Sequence, residues 1–368
     1  MRKTYAEINL DHLKENFINI RKKTGTRVLA VVKADAYGHG MIECVRALKT
    51  LGDKAPEYYA VAIPDEAIEF RKHFPDEKIL VFAPLCGDEI EEYVAGNIIA
   101  TVSGYEHIEM LKSLPKDVRL KVHVKTDTGM GRIGLSAEET AAFVGELRKL
   151  ENVEIDGIYT HFATSDEYDK SYAGHQLKRF LSLLEELKRN NINYGVAHAA
   201  NSGAILDMPE AYLDMVRPGI ILYGYYPSHE TSESLELKPV MSLWSVVTTV
   251  KTMRSGDSVS YGRRFTLKRD SRIASVPIGY ADGFLRGLTN KSKGIINGRM
   301  FNQVGQVCMD RIMFEIGDEN VHEGDRVTLI GEDSGNVITA WDWSDALNTI
   351  PYEITCGISK RVPRIYIG

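Results

Sequence analysis

The chain has 368 residues, 43% of them apolar and 26% charged, so a sizeable core is available and neither a disordered chain nor a disulfide-stapled miniprotein fits. Forty-five Lys and Arg against fifty-one Asp and Glu leave a net charge of −6, which gives no footing for nucleic acid or an anionic membrane surface as main partner. The cysteines Cys44, Cys86, Cys308 and Cys356 form no CxxC pair, so a reducing cytoplasm is expected rather than a disulfide framework or a zinc knuckle.

The N-terminus starts basic but never enters the apolar run of a signal peptide, and no stretch approaches ~18 consecutive apolar residues. Short β-branched runs then alternate with amphipathic stretches at 28–32, 58–63, 79–82, 98–102, 120–124, 153–159, 194–198 and 212–216. That rhythm predicts repeated βα units around a parallel sheet, and eight of them predict a closed (β/α)8 TIM barrel. The segment from Pro64 reads as a helix, with proline in the first turn followed by the acids Asp65 and Glu66. Residues 228–234 read as a linker. Close-spaced strand-like runs follow at 240–250, 272–278, 312–316 and 326–330, with one helix at 340–347. The expected organisation is a barrel over 1–230 and a mainly β domain over 231–368.

A barrel of this kind works at the C-terminal ends of its strands. The first run ends Val31-Val32-Lys33-Ala34-Asp35-Ala36-Tyr37-Gly38-His39-Gly40, and the fifth continues through Lys125 to Gly131-Arg132. The sixth ends Tyr159-Thr160-His161, the seventh His198-Ala199-Ala200-Asn201-Ser202, and the eighth Val216-Arg217-Pro218-Gly219-Ile220. Lysines, arginines and histidines converge there without a carboxylate cluster, which argues against a metal site and for an anionic ligand. A desolvated lysine can attack a carbonyl, and pyridoxal 5'-phosphate offers an aldehyde together with a phosphate.

These stretches, with Val259-Ser260-Tyr261-Gly262, Gly279-Tyr280-Ala281-Asp282-Gly283 and Val307-Cys308-Met309-Asp310, resemble in order the motifs of bacterial alanine racemases over nearly the whole chain. The resemblance implies a pyridoxal-phosphate-dependent isomerase that interconverts L- and D-alanine and supplies D-alanine for peptidoglycan. It implies a homodimer in which each β domain completes the partner's site. Lys33 is then the cofactor's lysine, and Tyr37, Asn201, Ser202, Gly219, Ile220 and Tyr352 are placed around the cofactor and its phosphate. Arg217 faces the ring nitrogen as a donor that keeps its proton. Arg132 reaches the cofactor and the substrate carboxylate, braced by a carbamylated Lys125. Tyr261, with His161 beside it, and Lys33 are the two bases, and Met309 meets the substrate.

Asp35, Gln306, Arg311 and Pro351 depart from the commonest pattern, and Gln306 and Arg311 bear on the charge of the substrate channel. Competing expectations are a racemase of broader specificity, accepting serine or larger amino acids, a pyridoxal-dependent decarboxylase, and a non-enzymatic pyridoxal-phosphate carrier.

Overall fold

All eight apolar runs form parallel strands: Arg27–Val31, Tyr58–Val61, Ile79–Pro84, Ile99–Val102, Leu120–Asp127, Val153–Tyr159, Val196–His198 and Met215–Val216. They are called here the first to eighth barrel strands. They are apolar without alternation because a parallel strand between a barrel interior and a helical layer is covered on both faces. In the second and fourth, every residue is buried. Hydrogen-bonded neighbours run from the eighth through the first to the seventh. The seam is closed by Asp214 N–H to Ala197 O at 3.1 Å and Arg217 N–H to Ala200 O at 2.9 Å.

The computed structural model describes residues 3–115 and 117–368, and the chain divides into two compact units. Leu13–Ala36 and Met41–Lys238 make up the barrel unit. The helix expected at Pro64 spans Pro64–His73, and the Glu66 carboxylate accepts from Ala62 N–H at 2.8 Å. The helix Ser171–Arg189 buries Ala173, Leu177, Phe180, Leu184 and Leu187, a stripe at three- and four-residue spacing. Residues 228–234 are irregular. Among the described residues no helix is long and apolar enough to cross a membrane.

The other unit takes in Pro239–Gly368, Tyr37–Gly40 and the N-terminal residues up to His12. This differs from a single cut at 230/231. The strand Tyr5–Asn9 pairs antiparallel with Met241–Val246 and parallel with Arg364–Ile367. Its alternating burial, with Ala6 and Ile8 fully buried, suits this mixed sheet better than a barrel wall covered on both sides. The run 240–250 is two strands in separate sheets: Met241–Val246 joins the large one, while Thr249–Met253 pairs with Ser271–Val276. The helix Ala340–Leu347 forms as expected, capped by Thr339. A second helix, Pro351–Gly357, was not expected, because its β-branched Ile354 and Thr355 mask the start signal given by Pro351.

Candidate active site

The chain leaves the first barrel strand through Lys33, which is half-buried. Ala34, Asp35, Ala36 and Tyr37 then follow one another in the left-handed region, with φ between 52° and 54°. Left-handed geometry costs L-residues roughly 1–2 kcal/mol each, so the turn must be held from outside. Ala36 N–H donates to Val32 O at 2.9 Å, and Ala34 N–H to Glu66 Oε1 at 2.5 Å. Asp35 Oδ1 accepts Met41 N–H, the first amide of the helix Met41–Lys49, at 2.8 Å. Asparagine would offer the same acceptor and tolerate the same φ, so either residue keeps the local structure. Gly38, at φ +83°, has no room for a side chain: a Cβ there would stand 2.2 Å from Thr355 O.

Lys125, near the end of the fifth strand, is 2% exposed and donates to Thr126 O at 2.6 Å and Ile133 O at 3.3 Å. Burial, helped by the charges of Arg217 and Arg132, brings its amine down to about 7, against the pull of Asp127. Arg132, seven residues on, is exposed.

Arg217, directly after the eighth strand, is 3% exposed. Its Nη2 donates to Thr160 O at 2.7 Å and Ala199 O at 2.9 Å, and lies 3.3 Å from His161 Nδ1. Its Nη1 lies 3.1 Å from His198 Nδ1. Among the described residues its hydrogen-bond partners are carbonyls and imidazoles, none of them a carboxylate, and burial lowers the guanidinium to about 10. A buried cation with only neutral partners is costly, which marks this mouth as built to receive an acceptor or an anion. His161 is driven well below the ordinary histidine range by burial and by Arg217, Arg132, Lys125 and Lys33, so it is a neutral imidazole at neutral pH.

After the seventh strand, Asn201 Oδ1 caps the short helix Ser202–Asp207 through Ala204 N–H at 3.2 Å and accepts Ser165 Oγ–H at 2.7 Å. Ser202 Oγ accepts Gly219 N–H at 3.0 Å, so the hydroxyl and the start of the 3-10 turn Ile220–Tyr223 lie together. Tyr223 Oη–H donates to Val31 O at 2.9 Å and ties that turn to the first strand.

In the other unit, Tyr37 packs against Tyr352 with ring centroids 5.8 Å apart. Tyr261, 71% exposed, and Met309, 52% exposed, line one cavity together with Arg311. Gln306 is not part of that lining: it is buried, and its amide donates to Thr289 Oγ1 at 2.8 Å. It lines instead a separate cavity together with Arg264, Arg286, Thr289 and Lys291. Arg311 Nη1 donates to Thr248 Oγ1 at 3.0 Å. Pro351 is simply the first residue of its helix.

The structure thus gathers Lys125, His161 and Arg217 about one mouth and sets Ser202 beside Gly219. It also brings in residues that the sequence analysis left without a role. Tyr159 stacks on His198 at 4.9 Å and 7°, lies under Arg217 and Lys125, and has its phenol raised to about 12 by burial. His198, buried and bonded to Arg217, stood in a quoted motif without a task.

The family models "Alanine racemase, N-terminal domain" and "Alanine racemase, C-terminal domain" match residues 8–227 and 240–366. Alanine racemase 2 of Caldanaerobacter subterraneus subsp. tengcongensis is 43% identical, over 100% of this chain and 95% of its own length. The solved structure of alanine racemase from Clostridium difficile 630 is 40% identical with a TM-score of 0.91, covering 100% of this chain and 96% of that one. The same protein in complex with cycloserine matches at 38% identity and a TM-score of 0.91, with coverage of 100% and 96%.

Proposed function

The chain belongs to the alanine racemase family, and on that premise we propose that it interconverts L- and D-alanine with pyridoxal 5'-phosphate as its cofactor. The observation that carries this reading is the buried Arg217, held among the described residues by neutral hydrogen-bond partners, in the same barrel whose first strand runs into Lys33. An aldehyde, a phosphate and a ring nitrogen require an amine, a set of N–H and O–H donors, and a facing side chain. Lys33, then Ser202 with the backbone of Gly219 and Ile220, then Arg217 are of those kinds, and barrels commonly bind phosphate after the seventh and eighth strands. The donor set therefore fits. Asn201 steadies the Ser202 turn, and Tyr37 and Tyr352 complete the surroundings.

When bound, the cofactor supplies an electron sink that acidifies the α-carbon of the amino acid. Tyr261 Oη takes the α-proton of the L-enantiomer while Lys33 Nζ returns one on the opposite face, and the reverse reaction exchanges the roles. His161, neutral and 3.3 Å from Arg217, shares the proton of Tyr261. Arg217 would serve the ring nitrogen as a donor that keeps its proton, which would leave a weaker sink and favour proton return over side reactions. Arg132 binds the substrate carboxylate, and a carbamate on Lys125 gives that exposed guanidinium an anionic partner. Met309 contacts the substrate.

Tyr261 and Met309 act across a homodimer, and the exposure of both side chains supports a surface that a second copy covers. The cycloserine bound by the Clostridium difficile relative supports a small amino-acid-like ligand. The working compartment is the cytoplasm and the product D-alanine goes to peptidoglycan. The test is a panel of L-amino acids assayed for D-product and for carbon dioxide: D-alanine without carbon dioxide is expected. Release of carbon dioxide would support a decarboxylase, equal D-product from serine a broader racemase, and neither product a carrier.

A further inference from the structure

Below the mouth, a line of polar groups runs from strand to strand across the barrel. Arg217 follows the eighth strand, His198 ends the seventh, His123 lies within the fifth, Asp156 within the sixth, and Tyr58 opens the second, with Lys78 just before the third. His198 Nε2 is 3.0 Å from His123 Nδ1, and His123 Nε2 is 3.2 Å from Asp156 Oδ2. The same carboxylate oxygen accepts Tyr58 Oη–H at 2.9 Å, while Lys78 Nζ donates to Tyr58 Oη at 2.8 Å. Both imidazoles are fully buried. The His123 ring fits because residue 157 is glycine: a Cβ there would stand 2.7 Å from it.

The proton positions along this line are forced. A guanidinium donates only, so His198 Nδ1 must accept from Arg217. A neutral imidazole then carries its proton on Nε2, which donates to His123 Nδ1. By the same rule His123 carries its proton on Nε2 and donates to Asp156. From the other end, Lys78 donates to Tyr58 and Tyr58 to Asp156. Every bond points toward Asp156. Burial keeps both histidines below their ordinary range. Burial opposes ionisation of Asp156, but hydrogen bonds from His123 and Tyr58 and the charge of Lys78 outweigh it and hold the carboxyl at about 2.

We propose that Asp156, remote from the barrel mouth, is a positioning residue for the reaction: as the acceptor that terminates the chain, it fixes the tautomers of His123 and His198 and so the orientation of Arg217. The consequence for catalysis rests on the functional reading above; the ordering of the chain does not. With a donor in place of the carboxylate the order can reverse, which would set His198 Nδ1–H against Arg217 Nη1–H and push the guanidinium off its seat. Such chains are valuable only when every link is satisfied.

The test is nitrogen NMR of the histidine-labelled holoenzyme, with His123 and His198 assigned by single substitution. Both rings are expected as neutral Nε2–H tautomers that do not titrate between about pH 6 and 8. Asp156→Asn is expected to mix or reverse the tautomers, shift the absorption of the bound cofactor and lower kcat roughly 10–100-fold with KM little changed, as loss of an outer-layer partner does elsewhere. Asp156→Glu should recover part of each. A His198 protonated on Nδ1 in the unaltered protein would overturn the proposal, and needs no variant to fold. So would a folded Asp156→Asn protein with unchanged tautomers and spectrum. Correct tautomers in a protein that fails to racemise alanine would refute the functional reading alone.

Discussion

The Lys125 ammonium nitrogen lies 5.7 Å from the centroid of the Tyr159 ring, in a pocket where its only hydrogen-bond acceptors among the described residues are the carbonyls of Thr126 and Ile133. An amine brought down to about 7 is partly neutral at cellular pH, and a neutral amine adds to carbon dioxide with loss of a proton. Labelled bicarbonate is therefore expected to give a carbamate signal that vanishes in Lys125→Ala. Activity lost in that variant should return in part with a small carboxylate. An active enzyme whose Lys125 carries no carbon dioxide would count against the assignment.

Without bicarbonate the same residue has a signature in stability. Its pKa is lower in the folded protein, about 7, than the ordinary 10.5, so between these values the unfolded chain holds more protons. Stability must then rise with pH across that window and decline as pH falls toward 7. Thermal melting in bicarbonate-free buffer should show this slope, and Lys125→Met should flatten it.

Borohydride reduction of the holoenzyme followed by peptide mapping should place the cofactor label on Lys33. A label on Lys125 would invert the assignment of the two lysines.

If Tyr261 is the base for the L-enantiomer, Tyr261→Phe should suppress α-deuterium exchange from L-alanine much more than from D-alanine, by roughly 10²–10⁴. Mixing inactive Lys33→Ala and Tyr261→Phe subunits should restore part of the activity, since each mixed dimer holds one site with both bases. Equal loss for both enantiomers and no recovery in verified mixed dimers would remove both the facial roles and the shared site.

Asp35 offers a test of the left-handed turn. Asp35→Ala loses the acceptor for Met41 N–H and puts a residue less tolerant of φ +53° in its place, so denaturant melting should report a loss of about 1–2 kcal/mol. Asp35→Asn keeps the acceptor and should cost little.

The barrel was legible because strands covered on both faces read as unbroken apolar runs, and the mouth was legible because polar residues cluster where those runs stop. Lys33, Lys125, His161 and Arg217 were found that way. Asp156 was not: it sits inside the sixth run and reads as ordinary alternation, while His123, 33 residues away in sequence, is joined to it only through the pairing of the fifth and sixth strands. The left-handed turn from Ala34 to Tyr37 carries no local signal, since alanine gives no hint of positive φ. Nor does the sequence show that Gln306 is buried with its amide on Thr289 Oγ1, a contact made only by folding.

The strand Tyr5–Asn9 has a bearing on biosynthesis. It leaves the ribosome before any barrel strand, yet its partners Met241–Val246 and Arg364–Ile367 emerge only after the whole barrel has been made. The nascent chain must therefore carry Ala6 and Ile8, fully buried in the finished protein, without their cover while the barrel closes behind them. A half-apolar strand left unpaired is a template for wrong pairing. Its alternation with Glu7 and Asn9, and the Lys3 just ahead of it, keep half of that strand polar during the wait.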